Sequence, residues 1–185
     1  MKLEDEKIVA MCKDSAQVEI GIRHLIHKYK EKLYWQIKRI VEHHDDTEEV
    51  LQNVWIKIWQ NIGGFKGESA LSTWIYRITY NESISYVQGR KKQKLADWET
   101  SEPLIEAHTD EALFNHEIYD KDEVIKKIEV AIEKLPQKQK LIFHYRYNEE
   151  MPYSQIAEIT GTSEGALKAS FHHAVKKIEV FIKKN

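Results

Sequence analysis

The sequence has few of the residues that break helices and almost none that form disulfide bonds. Its 185 residues include seven glycines, three prolines and a single cysteine, Cys12. One cysteine excludes an internal disulfide, so the fold does not depend on an oxidising compartment, and a reducing cytoplasm is expected. The scarcity of glycine and proline, apolar residues at helical spacing and the lack of strand patterns together predict an all-α protein.

Long apolar runs and a large excess of one charge are also missing. No apolar stretch of signal-peptide length occurs in the first residues, MKLEDEKIVAMCKDSAQ, and no segment approaches the roughly 20 apolar residues of a membrane span. We therefore expect a soluble intracellular protein with no membrane insertion. The formal net charge of −2 provides no general attraction to phosphate, so binding to nucleic acid would have to depend on local basic patches.

Three amphipathic helices are predicted in the N-terminal half, where they are expected to form one compact domain. From Val18 to Val41 apolar residues recur every three or four positions, as on the buried face of a long helix. Asp46 or Thr47 can cap a second helix, which the Gly63–Gly64 pair ends. A third helix is predicted from Leu71 to about Val87.

A change in charge marks the middle of the chain. The basic cluster at residues 90–94 is followed by a stretch rich in carboxylates that has no steady helical period. Like charges repel one another and extend the chain, as in a linker. The sequence therefore predicts two small helical domains, residues 1–94 and 122–185, joined by an acidic linker over residues 95–121.

Four helices are predicted in the second domain. The first ends before Pro136, because proline disfavours helical geometry in the residue before it. The second is expected from Gln137 to about Tyr147, and the third ends at Gly161, which has no Cβ and can adopt a left-handed turn. Ser163 can cap the last helix, predicted from Glu164 to about Ile182.

The last two predicted helices have the spacing of a helix-turn-helix. Ala157 is a small residue for the helix crossing, Gly161 lies at the turn, and Leu167 and Phe171 are apolar anchors on the second helix. The alternative is an ordinary helical hairpin with a solvated polar face. The outer face of the last helix carries residues suited to a major groove and its phosphates: Ser163, Glu164, Lys168, Ser170, His172, Lys176 and Lys177.

Two segments resemble parts of one protein family. The later one, LPQKQKLIFHYRYNEEMPYSQIAEITGTSEGALKASFHHAVKKI, is similar to region 4 of bacterial sigma factors of the extracytoplasmic-function group, in the sigma-70 family. The earlier one, DDTEEVLQNVWIKIWQNIGGFKGESALSTWIYRITYNESISYVQGRKK, resembles region 2 of the same group. The resemblance implies a protein that binds core RNA polymerase, directs it to promoters and helps open the duplex. It implies no catalytic activity and no cofactor.

The resemblance to region 2 implies a surface for the polymerase and another for melted DNA. Glu49, Gln52, Asn53 and Trp55 are the predicted contacts with core polymerase, although core packing is an equal alternative for Trp55. The loop after Gly63 and the helix that follows would hold the single-stranded minus-ten element, which requires aromatic surfaces, donors and cations. The predicted contacts are Phe65, Lys66, Ser69, Trp74, Tyr76, Arg77, Tyr80, Asn81, Arg90, Lys91 and Lys92.

Asn81 and Trp74 differ in how they are expected to act within that set. Asn81 stands at the position of the family's base pocket and is the first choice for a base contact. Trp74 shares the apolar stripe of Leu71, Ile75 and Ile78, so core packing is the alternative for it. A solvated basic segment is the alternative for residues 90–92.

The resemblance to region 4 implies that the last helix binds the minus-thirty-five element. The predicted contacts are Ser163, Glu164, Lys168, Ser170, His172 and Lys176. Many members of the family carry several arginines on this helix, where the present chain has Ser170, His172, His173 and Val175. Histidine and serine cannot reproduce the bidentate contact of arginine with guanine, so a different promoter preference is expected.

Other functions remain open from the sequence alone. A stand-alone helix-turn-helix regulator would bind a duplex without polymerase, normally as a dimer on a two-fold symmetric site. A structural helical adaptor would leave both basic clusters without a role. No metal site is predicted, because adjacent histidines such as His43 and His44 point in different directions and no cysteine pair or HExxH spacing accompanies them. The family further implies an anti-sigma partner.

Overall fold

The structure is a computed structural model that describes the backbone of residues 4–98 and 121–184. Its described part is helical and contains no strand, which confirms the all-α prediction. The described residues form two compact units, one of residues 4–89 grouped with 157–161, the other of residues 90–98, 121–156 and 162–184. The elements are α1 (Asp5–Lys13), α2 (Val18–Val41), α3 (His44–Ile62), α4 (Leu71–Trp98), α5 (Lys121–Glu133), α6 (Gln137–Phe143), a π-helical turn (His144–Asn148), α7 (Tyr153–Thr160) and α8 (Glu164–Lys184).

The long helix predicted from Val18 to Val41 is confirmed as α2, with the same bounds. Its apolar stripe forms the centre of the N-terminal unit, where Leu25, Leu33 and Ile37 are fully buried. α3 contributes Val54 and Ile58 to this core in the same way. Helical periodicity predicted these positions because a helix in a small domain can bury only one face.

α1 precedes the first helix that was predicted from the sequence, and it packs closely on α2. Ile8 and Cys12 are its buried residues, and burial raises the pKa of the Cys12 thiol. A Cβ added to Gly21 of α2 would lie only 2.7 Å from the Cys12 Sγ and 2.8 Å from the Cys12 backbone nitrogen. The missing side chain of Gly21 therefore allows the two helices to meet.

Polar contacts fix the other end of α1 to α2. The Asp5 carboxylate accepts a hydrogen bond from the Lys28 ammonium group. It also accepts one from the Tyr29 hydroxyl, whose oxygen lies 3.3 and 3.4 Å from the two carboxylate oxygens. Tyr29 is buried, and its desolvation together with the Asp5 charge raises the pKa of its phenol. α1 therefore has a defined position against α2 at both ends.

Two predictions about α3 and α4 are wrong in detail. α3 begins at His44 and has no side-chain cap, so Asp46 lies within the first turn, where a carboxylate interacts favourably with the helix dipole. Thr47 is likewise inside the helix, and its hydroxyl donates to the His43 carbonyl at 2.6 Å. α4 passes the predicted end at Val87 and continues to Trp98.

The longer α4 changes the interpretation of the basic cluster and of the linker. Gly89 lies inside the helix, since an isolated glycine weakens a helix without stopping it. Residues 90–94 are therefore helical, as are residues 95–98, the first part of the predicted linker. The remainder of that predicted linker up to residue 120 lies outside the described residues.

The core of the C-terminal unit lies between α5, α6 and α8. Its buried side chains are Ala131, Leu135, Phe143, Ala174 and Ile178. The second predicted helix of this unit ends earlier than expected, because its last residues form a wider π-helical turn at His144–Asn148. No helix in the part of the chain that the structure describes has the length and apolar character needed to span a membrane.

The contact at Gly21 generates a prediction about stability. Gly21→Ala should lower the free energy of unfolding by about 1–3 kcal/mol, because the new methyl group meets backbone atoms that cannot move aside. Gly89→Ala is the matched control, because it also lies in a helix. Apart from the helix's own backbone and the adjacent residues, no atom of the described part of the chain lies within 4 Å of the place that its new methyl group would take. Alanine there should be neutral or stabilise by up to about 1 kcal/mol. Urea unfolding followed by circular dichroism measures both. Equal stability of the two variants would contradict the close packing of α1.

Candidate nucleic-acid interface

The loop between α3 and α4 forms one wall of a shallow pocket. Two backbone hydrogen bonds extend the end of α3 into the loop, from the Gly64 nitrogen to the Asn61 carbonyl and from the Phe65 nitrogen to the Ile62 carbonyl. Gly67 has a φ of +75°, a left-handed conformation that glycine adopts at little cost. The pocket has a volume of about 210 Å³ and is lined by Gly64, Phe65, Lys66, Glu68, Ser69, Trp74 and Arg77.

Aromatic rings close the inner side of this pocket. Phe65 is only 9% exposed and packs against Trp74, with the ring centroids 5.4 Å apart and the planes tilted by 55°. Trp74 is half-buried, so it serves core packing and still borders the pocket. Both rings therefore form a wall that a base could lie against, and neither projects freely into solvent.

Tyr76 does not fit the predicted base contact. Its residue is only 3% exposed, and its backbone carbonyl accepts a hydrogen bond from the Gln36 amide at 3.1 Å. Thr79 and Ser83, three and seven residues later, are also buried and bond to carbonyls of their own helix. This second buried stripe of α4 is partly polar, so apolar periodicity in the sequence did not predict it. Small hydroxyl residues at helical spacing were the sequence pattern that could have predicted it.

Other predicted residues lie on one face of α4. Trp74 and Arg77 border the pocket, and Asn81 is exposed one turn further along the same face. Tyr80 is half-buried, and burial raises the pKa of its phenol, which stays protonated and can donate a hydrogen bond. The face thus combines donors to base edges with a cation for phosphate.

The basic residues of the predicted DNA-binding set lie in two places, at the pocket loop and in the second half of α4. Lys66 is exposed and Ser69 half-buried at the loop, and Arg90 is exposed much further along α4. Lys91 and Lys92 belong to the same helix, although their side chains lie outside the described part of the chain. The backbone of α4 is thus helical from the pocket through this basic segment.

The surface predicted for the polymerase lies on α3. Glu49, Gln52 and Asn53 are exposed, and Trp55 is half-buried. The Tyr86 hydroxyl lies 2.9 Å from an Asp46 carboxylate oxygen and 3.2 Å from a Glu49 carboxylate oxygen, and its single proton is shared between them. This contact joins α3 to α4. Glu49 therefore also has a structural contact within the unit.

Sequence reasoning missed two apolar side chains on that surface. Ile56 and Trp59 are 54% and 51% exposed, and with Glu49 and Gln52 they follow one another at helical spacing along α3. Neither residue belongs to the buried apolar stripe of α3. Their position outside that stripe was the sequence signal that could have predicted their exposure. Exposed apolar residues grouped beside polar ones are typical of a surface that binds another protein.

The turn of the helix-turn-helix has the predicted geometry. Gly161 has a φ of +66°, and its nitrogen donates to the Ala157 carbonyl at 2.8 Å. Ser163 accepts a long hydrogen bond, 3.4 Å, from the Ala166 nitrogen at the start of α8. Leu167 is fully buried, as an anchor residue should be.

The predicted DNA-binding residues of α8 face outward. Ser163, Glu164, His172 and Lys176 are exposed, and Ser170 is half-buried. Lys168 is exposed as well; its ammonium nitrogen is 3.7 Å from Glu164 and 5.7 Å from the centre of the Tyr153 ring. Such exposed contacts contribute little stability, which leaves the Lys168 charge available to a phosphate.

Histidines and lysines take the place of arginines on this helix. The rings of His172 and His173 are exposed, with their centres 6.1 Å apart. Lys176 and Lys177 follow them, and Lys177 donates to the Gln139 side chain at 3.1 Å. Across the described residues, no cluster of three or more histidine, cysteine, aspartate or glutamate side chains could hold a metal ion.

Comparison with protein families assigns both units. The model of sigma-70 region 2 matches residues 25–93, and the model of sigma-70 region 4 matches residues 125–178. These matches include the pocket loop, most of α4 and the helix-turn-helix. They occur in the order in which the sequence resemblance placed them.

Curated relatives span most of the chain. The chain is 26% identical to the RNA polymerase sigma-H factor of Pseudomonas aeruginosa, over 84% of this chain and 82% of that protein. It is 24% identical to the ECF RNA polymerase sigma factor SigW of Bacillus subtilis, over 80% and 81% of the two chains. Identity to the ECF RNA polymerase sigma-E factor of Escherichia coli is 25%, over 96% and 94%.

Solved structures show the same fold. A structure of CnrH in complex with the cytosolic domain of CnrY has a TM-score of 0.65 at 13% identity and covers 98% of both chains. The sigma factor RpoE from Bartonella quintana, in complex with the anti-sigma factor NepR, has a TM-score of 0.62 at 20% identity and covers 87% of this chain and 96% of that one. Both region matches and the named relatives agree: the chain belongs to the extracytoplasmic-function group of the sigma-70 family of RNA polymerase sigma factors.

Proposed function

We propose that the protein binds core RNA polymerase and directs it to specific promoters. The observation that carries the proposal is the presence of both sigma-70 regions in one chain, each with its predicted contact face at the surface. A sigma factor acts by binding, so the protein needs no catalytic residue or cofactor of its own. The proposal locates it in the cytoplasm, where the polymerase meets the chromosome.

The three surfaces have separate roles in this proposal. Glu49, Gln52, Asn53 and Trp55 of α3, extended by the exposed Ile56 and Trp59, bind the polymerase. The pocket beside α4 receives an unstacked base of the minus-ten element, which offsets the few kcal/mol that removing a base from the stack costs. α8 lies in the major groove of the minus-thirty-five element. The predicted domain bounds are part of this proposal: residues 1–94 carry the first two roles and residues 122–185 the third, and residues 95–121, which begin with the end of α4, connect them.

In this proposal the melted-DNA surface is the predicted set without Tyr76. Phe65 and Trp74 provide the wall, and Tyr76 is left out because it is buried. The remaining contacts are Lys66, Ser69, Arg77, Tyr80, Asn81, Arg90, Lys91 and Lys92. Asn81 is the residue assigned to a base edge, since its amide can both donate and accept.

The minus-thirty-five surface consists of Ser163, Glu164, Lys168, Ser170, His172 and Lys176. Lysine and histidine supply phosphate contacts and single hydrogen bonds, whereas arginine would supply bidentate contacts with guanine. We therefore expect this element to contribute position and moderate specificity. The minus-ten element should contribute more of the sequence preference than in relatives rich in arginine on this helix.

An anti-sigma factor is the further partner that we propose. The Bartonella quintana relative of known structure is bound to an anti-sigma factor. The exposed apolar residues of α3 are suited to such a partner, because they are the residues that polymerase would otherwise cover. An inhibitor that covers them would compete directly with polymerase.

Transcription in vitro tests the main proposal. Purified bacterial core polymerase, with and without the protein, is incubated with a library of promoter fragments, and the transcripts are sequenced. We expect new start sites downstream of one asymmetric pair of elements, only when the protein is present. Duplex binding without polymerase, on a two-fold symmetric site, would instead identify a stand-alone regulator. Folded protein that neither binds core polymerase nor directs a start site would refute the proposal.

Asn81→Ala tests the base contact. We expect promoter opening to fall by about tenfold, the effect of losing one hydrogen bond to a base of about 1–2 kcal/mol, while affinity for core polymerase is unchanged. Permanganate reactivity of unpaired thymines measures opening. The control is Asn61→Ala, an exposed asparagine whose amide bonds to the Lys57 carbonyl of its own helix. Loss of polymerase binding in Asn81→Ala would count against the assignment.

Lys168→Ala tests the phosphate contact of α8. The holoenzyme should bind its promoter more weakly, and the slope of log K against log salt concentration should become shallower by about 0.9, as for one lost phosphate contact. Lys183→Ala, an exposed lysine at the far end of the same helix, is the control. An unchanged slope in Lys168→Ala would exclude a phosphate contact for this residue.

A further inference from the structure

The pocket loop receives a contact from a helix far away in the sequence. The Lys13 ammonium group, in the last turn of α1, donates a hydrogen bond of 2.7 Å to the backbone carbonyl of Phe65. The bond is partly buried and joins residues 52 positions apart. α1 lies outside residues 25–93, which the region 2 model matches, so this contact is a feature of the present chain that the family comparison does not assign.

Phe65 is the residue through which such a contact can control the pocket. Its nitrogen is bonded to the Ile62 carbonyl, its ring rests against Trp74, and its carbonyl is bonded to Lys13. The next residues, Lys66 to Ser69, continue the pocket wall and include the left-handed Gly67. Fixing the peptide plane after Phe65 therefore sets the direction in which the chain enters that wall.

The chemistry of the contact suits a positioning role. A hydrogen bond from an ammonium group is shorter and stronger than one between neutral groups, so it holds its acceptor more firmly. Lys13 also lies at the carboxyl end of α1, where the helix dipole favours a positive charge. The base of the side chain is held in place, because the neighbouring Cys12 packs directly on Gly21 of α2.

We propose that Lys13 is a positioning residue for recognition of the minus-ten element. It holds the Phe65 peptide so that the pocket is already formed before the unstacked base arrives. It acts through Phe65 and does not itself contact DNA. This inference rests on the proposed function, since it concerns the same pocket. Its consequence is that α1, although remote in sequence from the DNA-binding residues, determines how well they bind single-stranded DNA.

Binding of single-stranded DNA by the holoenzyme tests the proposal. The probe is a fluorescent oligonucleotide with the non-template minus-ten sequence of the strongest promoter recovered from the library. The variants are Lys13→Met, which keeps most of the length of the side chain without the charge, and Lys13→Arg, which keeps a charged donor. We expect Lys13→Met to weaken binding by about tenfold, as for one charge-assisted hydrogen bond, and Lys13→Arg to restore most of the affinity.

Three further measurements separate positioning from general stability. Affinity for core polymerase and the unfolding midpoint should be the same in Lys13→Met as in the unaltered protein. Lys7→Met is the matched control, because Lys7 lies on the same helix and its ammonium group is 3.8 Å from the carboxylate of the exposed Glu4; it should bind the oligonucleotide normally. The duplex promoter should open less in Lys13→Met, and a template that is already unpaired at the minus-ten element should recover only part of the loss.

Two results would overturn the inference. Oligonucleotide binding by Lys13→Met equal to that of the unaltered protein would show that the contact has no role in recognition. Parallel loss of oligonucleotide binding, polymerase affinity and stability would show that Lys13 only supports the fold. Failure of the proposed function has a different signature, because the unaltered protein itself would then direct no start site and yield no promoter from which to make the probe.

Discussion

The close approach of α1 and α2 at Gly21 is the contact on which the N-terminal unit depends. Two helices can come this near only where one of them has no side chain, and here the Cys12 backbone occupies the space of the missing methyl group. The position of α1 then determines where Lys13 points, and Lys13 reaches the Phe65 carbonyl beside the DNA pocket. The close packing at Gly21 therefore affects the geometry of the pocket loop, because α1 and the hydrogen bond from Lys13 connect the two places.

Buried polar groups form part of the packed side of α4. Gln36 donates to the Tyr76 carbonyl, while Thr79 and Ser83 return their hydroxyl hydrogen bonds to carbonyls of α4 itself. Each group satisfies the need of a buried donor for an acceptor, and small side chains let α4 lie close to its neighbours. The opposite face of α4 is left for Arg77 and Asn81. The same helix therefore serves packing on one side and, in the proposed function, binds DNA on the other.

The exposed surfaces of α3 and α8 differ in chemical character. The α3 surface joins carboxylate and amide groups to the exposed Ile56 and Trp59, as expected of contact with another protein. The α8 surface is polar and basic, with histidines where many members of the family carry arginines, so in the proposed function it would bind DNA mainly through phosphate contacts. Because the net charge of the whole chain is −2, such local groupings matter more than overall charge.

Local patterns in the sequence were enough to predict the all-α class, α2 with both ends, the stop at Gly63 and the left-handed turn at Gly161, because helix periodicity and glycine conformation depend only on neighbouring residues. The resemblance added the family, which the comparisons confirmed. Tertiary structure alone decided that Tyr76 is buried, that Trp59 is exposed and that Lys13 bonds to Phe65. Each of these depends on which helices meet across long stretches of chain, and periodicity within one helix carries no information about its partners.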